Sequence, residues 1–185
     1  MERLQFMNRF ISKMIAGTAA ATLACVALVA AGAPASASGP DPLFVKIRNF
    51  QTNKCLEPAS TADTAAVVEM TCTDQEPEAD LQVWLMHQVG TNHYQIKNAT
   101  TQMCFNAFDG AFNGGRVLQT ECKSISNEEW NTGRQLPALT KIESRERFRD
   151  TGICIDVPAG QGQDGTAVLL FQCNGTQSQA WAMGV

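Results

Sequence analysis

Histidine is scarce in this 185-residue chain, which has two, His87 and His93. No set of carboxylates or thiols has metal-ligand spacing, so the residues call for no metal and no other cofactor. Basic charge is also short, with 14 Lys and Arg against 18 Asp and Glu, a formal net charge of −4. Nucleic acid is therefore excluded as an expected partner, because phosphate binding needs a net basic footprint. A sustained 3.6-residue apolar period is missing, which argues against helical architecture. Catalytic signatures are missing too. There is no serine-nucleophile motif and no Cys–His arrangement, and no carboxylate pair is singled out. Gly160-Gln161-Gly162 precedes no predicted helix, so it is not a phosphate loop. The chain is read as a non-enzyme.

What is present begins with an address. Arg3, Arg9 and Lys13 form a basic region, Met14 to Ala30 is mostly apolar, and Ala35-Ser36-Ala37 is a small-residue cleavage site. Residues 1–37 are read as a secretory signal of bacterial type, followed by a short leader tail over 38–42. Its apolar core is marginal for a membrane span, so no membrane association is expected after cleavage. The mature chain of a secreted protein, from residue 38, keeps 11 basic and 17 acidic residues, and 43–185 is read as one domain.

That domain repeats. Cys154-Ile155-Asp156 opens a stretch that runs through Cys173 to Gln179-Ala180-Trp181. Looser copies run from Cys55 through Cys72 to Gln82-Val83-Trp84, and from Cys104 through Cys122 to Glu128-Glu129-Trp130. First cysteines lie 49 and 50 residues apart. Such a period marks repeat architecture, with units of about 43–86, 87–134 and 135–185. Six cysteines in an exported chain favour disulfides, although six allow 15 pairings. The repeat-consistent pairing is Cys55–Cys72, Cys104–Cys122 and Cys154–Cys173.

Short β-rich runs separated by Gly, Asn and Asp clusters fill each unit, including Leu43–Ile47, Ala65–Met70, Tyr94–Ile96, Val117–Gln119 and Val168–Phe171. The charged run Lys141 to Asp150 is read as a solvated strand edge and loop around Phe148. Glu76 to Asp80 lengthens the last loop of the first unit.

Three ordered copies of Cys-x-[Asp/Glu/Asn], a second Cys and Gln-x-Trp make residues 43–185 resemble the ricin B-type β-trefoil lectin domain. The resemblance implies an all-β fold of three pseudo-symmetric units, about four strands each. Trp84, Trp130 and Trp181 are read as core residues packed near the pseudo-threefold axis, with Gln82 and Gln179 satisfying nearby backbone. Glu128 departs from the pattern, standing where Gln is expected.

A sugar offers an apolar C–H face and a rim of hydroxyls, which suit an exposed ring beside a carboxylate and an amide. The resemblance draws these from the acid after the first Cys, an aromatic before the second, and an Asn before Gln-x-Trp. The first unit offers Glu57, Met70 and Leu81; the second offers Asn106, Thr120 and Asn127. The third keeps Asp156 and Phe171, with Ser178 in the amide position, Leu169 in an assisting position and Gln179 alongside. Alternation from an inward Val168 turns Leu169 and Phe171 outward together. Leu170 would then face inward, although its equivalents Glu69 and Gln119 are polar. Asp156 has an alternative role, bonding backbone N–H groups of the Pro158–Gly162 turn. The expected function is weak carbohydrate binding of galactose type through the third unit. The alternative is a non-catalytic trefoil with decayed sugar sites, binding a secreted protein as the targeting subunit of a toxin or enzyme.

Overall fold

Among the described residues, fourteen short strands carry the regular structure. The first unit supplies β1 (Leu43–Asn49), β2 (Cys55–Pro58), β3 (Val67–Met70) and β4 (Val83–Gly90). The second supplies β5 (His93–Asn98), β6 (Cys104–Ala107), β7 (Val117–Thr120) and β8 (Glu129–Asn131). The third supplies β9 (Ala138–Thr140), β10 (Glu143–Glu146), β11 (Arg149–Asp156), β12 (Thr166–Ala167), β13 (Leu169–Gln172) and β14 (Trp181–Gly184). The computed structural model describes residues 42–75 and 78–184. The expected signal, nearly all of the leader tail and Glu76-Pro77 lie outside them. Glu78–Leu81 forms one helical turn. Among the described residues no helix is long and apolar enough to cross a membrane.

The pairing makes a β-trefoil. Antiparallel contacts β1–β4, β4–β5, β5–β8, β8–β10, β9–β14 and β14–β1 close a barrel. Hairpins β2–β3, β6–β7 and β11–β13 cap it. They meet in a cycle through Ala66–Leu118, Arg116–Leu169 and Ala167–Val68. Two interruptions in the third unit, at Lys141-Ile142 and Val168, raise the strand count above four per unit.

The interior is built from the inward alternation of the strands. Val67, Val117 and Val168 are all buried at equivalent positions. Each tryptophan is fully buried and donates its indole N–H within its own unit, Trp84 to Leu56 O, Trp130 to Phe105 O and Trp181 to Ile155 O. The indoles do not stack on one another. Phe105 lies between Trp84 and Trp130, with edge-on centroid distances of 4.3 and 6.1 Å. Disulfides join Cys55 to Cys72, Cys104 to Cys122 and Cys154 to Cys173, each closing one unit's cap. Closing a loop of this length contributes about 3 kcal/mol through the unfolded chain.

Units are stitched by asparagine. Asn49 Oδ1 accepts from the Gln51 and Thr52 amides, and its Nδ2 donates to Ser178 O at 2.9 Å. Asn98 repeats this, accepting from Thr100 and Thr101 and donating to Leu81 O. The first bond fixes the Gln51 turn beside the third unit's last turn.

The run from Lys141 to Asp150 is not simply solvated. Ile142, Glu143 and Ser144 are buried, and only the Arg147-Phe148 turn, with both residues at positive φ, carries an exposed ring. Its charges are matched inside the sheet, Lys141 to Glu143 and Arg145 to Glu129. Pairing accommodates Glu143 and Arg145, while Lys141 and residues 146–150 are exposed, as a solvated edge and loop would be.

Leu170 is buried, and so are Glu69 and Gln119. The polar equivalents face inward because they find partners there, Gln119 in the first unit as well as its own and Glu69 within its own unit. Gln119 donates to Ser60 O and Ala62 O and accepts from Thr101. Glu69 accepts from Thr52, but its Oε2 is buried without a partner. Burial pushes the Glu69 carboxyl above its ordinary value, against the Thr52 bond and the Lys54 charge. Folding thus favours the protonated acid. That contribution is complete below the ordinary glutamate range and is lost as pH rises through the raised value. Glu69→Gln, which never ionises, is expected to be about 1–2 kcal/mol more stable than wild type at neutral pH. The gain should shrink in acid, as read by melting temperature across pH.

Candidate functional site

Register on the third cap places the predicted groups. In the β11–β13 hairpin Asp156 pairs with Leu169, and Cys154 with Phe171. Leu170 turns into the core, so Leu169 is half-buried and Phe171 is 45% exposed. Together with Asp156 and Ser178 they line a cleft of about 650 Å³. The turn 158–160 and the last turn of the unit, through Asn174 and Thr176, form part of its rim.

Asp156 does not serve the Pro158–Gly162 turn. Its Oδ2 accepts from Gln179 Nε2 at 2.8 Å. Gln179 also donates to Gln172 O at 3.0 Å and accepts from the Asn174 amide at 2.9 Å. At 3% exposure Gln179 lies beneath the cleft and holds the carboxylate in place, rather than reaching a ligand. Ser178 is 8% exposed, with its hydroxyl 2.9 Å from that of Thr176. The arrangement is an outward apolar platform beside an oriented carboxylate. Such a pair can take the C–H face of a sugar on one side and charge-assisted hydrogen bonds to its hydroxyls on the other.

The other two units do not present these groups. In the first, Glu57 accepts from Gln82 Nε2 at 2.8 Å, and Met70 occupies the ring position. In the second, Asn106 is buried and its amide is consumed internally. Nδ2 donates to Thr120 and Glu128, and Oδ1 accepts from Asn127. Glu128 is thus not a simple loss of the Gln pattern. Where the outer units pair an acid with a glutamine, the second pairs an amide with a glutamate, exchanging donor and acceptor. Burial pushes Glu128 above its ordinary value, opposed by bonds from the Lys123 amide, Asn106, Thr120 and Gln95. Glu128→Gln alone should set two NH2 groups against each other and destabilise. Asn106→Asp with Glu128→Gln should recover the loss, with a coupling of about 1–2 kcal/mol in a double-mutant cycle by denaturant unfolding.

Comparison with known proteins decides the family. The model of the ricin-type beta-trefoil lectin domain matches residues 43–146. The chain belongs to this family. The lectin domain is accordingly a non-catalytic carbohydrate-binding fold. No curated protein matches the chain. Among solved structures, the designed threefold-symmetric protein ThreeFoil is similar at 20% identity and TM-score 0.68, over 77% of this chain and 98% of that one. An exo-β-1,3-galactanase from Clostridium thermocellum matches at 21% identity and TM-score 0.66, over 80% of this chain but 31% of the galactanase. The Macrolepiota procera ricin B-like lectin, in complex with lactose, matches at 16% identity and TM-score 0.63, over 78% and 96%.

The family match ends at residue 146, short of the cleft's carboxylate and ring at 156 and 171. Two bordering residues were not legible from the third unit's motif. Gln51 comes from the first unit's β1–β2 turn and Asn113 from the second unit's loop before β7. Their signal in sequence is only that equivalent loops exist in every unit. Among the described residues no cluster of three or more His, Cys, Asp or Glu could hold a metal.

Proposed function

We propose that this lectin domain binds a galactose-type sugar weakly through its third unit, as a secreted module. The observation that carries the reading is the cleft itself, where Phe171 stands exposed beside a carboxylate that Gln179 orients. Leu169 widens the platform and Ser178 offers a small polar wall. One shallow site without the usual multiplicity should be weak, since lectins gain strength from several sites acting together. The Ala-rich leader and three disulfides favour export, and the signal is of bacterial type.

A glycan array probed with residues 38–185 tests the reading. Binding should concentrate on galactose-terminated glycans and be competed by free galactose. A blank array would overturn it. A second reading is favoured by the exposed rings outside the cleft, Phe44, Phe50, Phe108, Phe112 and Phe148. On that reading the domain docks a secreted protein as a targeting subunit. A blank array together with a co-purifying partner that Phe148→Ala or Phe112→Ala releases would support it.

A further inference from the structure

The cleft is not closed by the third unit alone. Its far side, seen from Asp156, is the second unit's loop, which zips onto the open edge of β13. Gly114 N donates to Leu170 O and Leu170 N to Gly115 O, both at 2.8 Å. Gly115 suits this closeness, because a Cβ there would lie 3.3 Å from the Leu170 side chain and 2.9 Å from Gly110 O of its own loop. Asn113, in the same loop, accepts the Gln172 amide at 2.7 Å through Oδ1. Its Nδ2 has no hydrogen-bond partner among the described residues.

The same stitch occurs between the third and first units, and the comparison is informative. There Asp164 Oδ1 accepts the Thr71 amide at 2.7 Å. Thr71 precedes Cys72 as Gln172 precedes Cys173. The structural task needs only an acceptor oxygen, which a carboxylate supplies. Asparagine at 113 performs it and adds an NH2 group for which the fold has no use. That group borders the cleft that the ring and carboxylate line.

Spacing separates the two polar ends. Asp156 lies on β11, the platform on β13, and Asn113 on the chain beyond β13. Asp156 faces Leu169 and Asn113 faces Gln172, so two interstrand steps and three residues along β13 put their backbones about 14 Å apart. One pyranose is about a single step wide, so it cannot engage both. Two linked rings can, the second reaching past Phe171.

From this geometry we infer that Asn113 Nδ2 is the donor of a second saccharide subsite, and that the ligand is a galactose-terminated oligosaccharide of at least two rings. The inference rests on the third-unit site proposed above. Asn113→Asp is the informative variant, since Asp164 demonstrates that a carboxylate can make the structural bond, while the NH2 donor is removed. Asn113→Ala removes both.

The experiment is calorimetric titration of wild type and both variants with galactose and with galactose-terminated disaccharides of several linkages. Wild type should bind at least one disaccharide several-fold to tenfold more tightly than galactose, the range of one neutral hydrogen bond. In Asn113→Asp and Asn113→Ala that ratio should fall to near one, with the melting temperature of Asn113→Asp held. A disaccharide no better than galactose in wild type would overturn the subsite alone, as would a ratio that survives Asn113→Asp. Failure of both sugar lengths to bind wild type would overturn the third-unit site and the subsite together.

Discussion

Replacing Trp181 with Ala is expected to cost about 3–5 kcal/mol of folding stability. The indole is fully buried, and removal would leave a large cavity under the third cap. It would also orphan Ile155 O, which accepts the indole N–H at 3.1 Å. Neither loss can be repaired by water without opening the core. Phe171→Ala makes the contrast, since that ring is 45% exposed and its removal should cost well under half as much. Denaturant unfolding of the two variants reads the difference. Equal losses would mean that Phe171 is part of the core and not a platform.

The second large effect is on binding. Asp156→Asn keeps the shape and an acceptor for Gln179 but removes the charge, costing about 1.5–3 kcal/mol in hydrogen bonds to sugar hydroxyls. That is on the order of tenfold to a hundredfold in affinity, enough to abolish detectable binding by a weak lectin. Phe171→Ala should do comparable damage by removing the surface on which the C–H face rests. Glu57→Gln in the first unit should leave affinity as it is, because Met70 stands where a ring is needed. Titration with galactose and lactose measures all three. Survival of binding in Asp156→Asn and its loss in Glu57→Gln would place the site in the wrong unit.

Residues were legible in the sequence where the period of the repeat constrained them. The tryptophans, the cysteine pairs and the outward turn of Phe171 follow from matched positions across three units and strand alternation. What stayed hidden depends on contacts between units. Gln119 departs from the apolar inward pattern because the first unit's Ser60 and Ala62 carbonyls accept its amide. Charge in the run after Lys141 masked Ile142 and Ser144, because pairs such as Arg145 with Glu129 are made 16 residues apart in the chain. Asn113 lies in another unit's loop and enters the cleft only through the stitch to Gln172. Gln179 and Ser178 are neighbours in sequence, yet only Ser178 lines the cleft. One residue of progression in a tight turn puts Gln179 underneath.

Backbone amide chemical-shift mapping during galactose titration tests the third-unit site most directly. The account predicts that the largest saturable shifts fall on Asp156, Leu169 to Phe171 and Asn174 to Ser178, with the equivalent positions Glu57 to Met70 and Asn106 to Thr120 nearly still. Saturable shifts centred on either of those other units, with Asp156 and Phe171 unmoved, would contradict it.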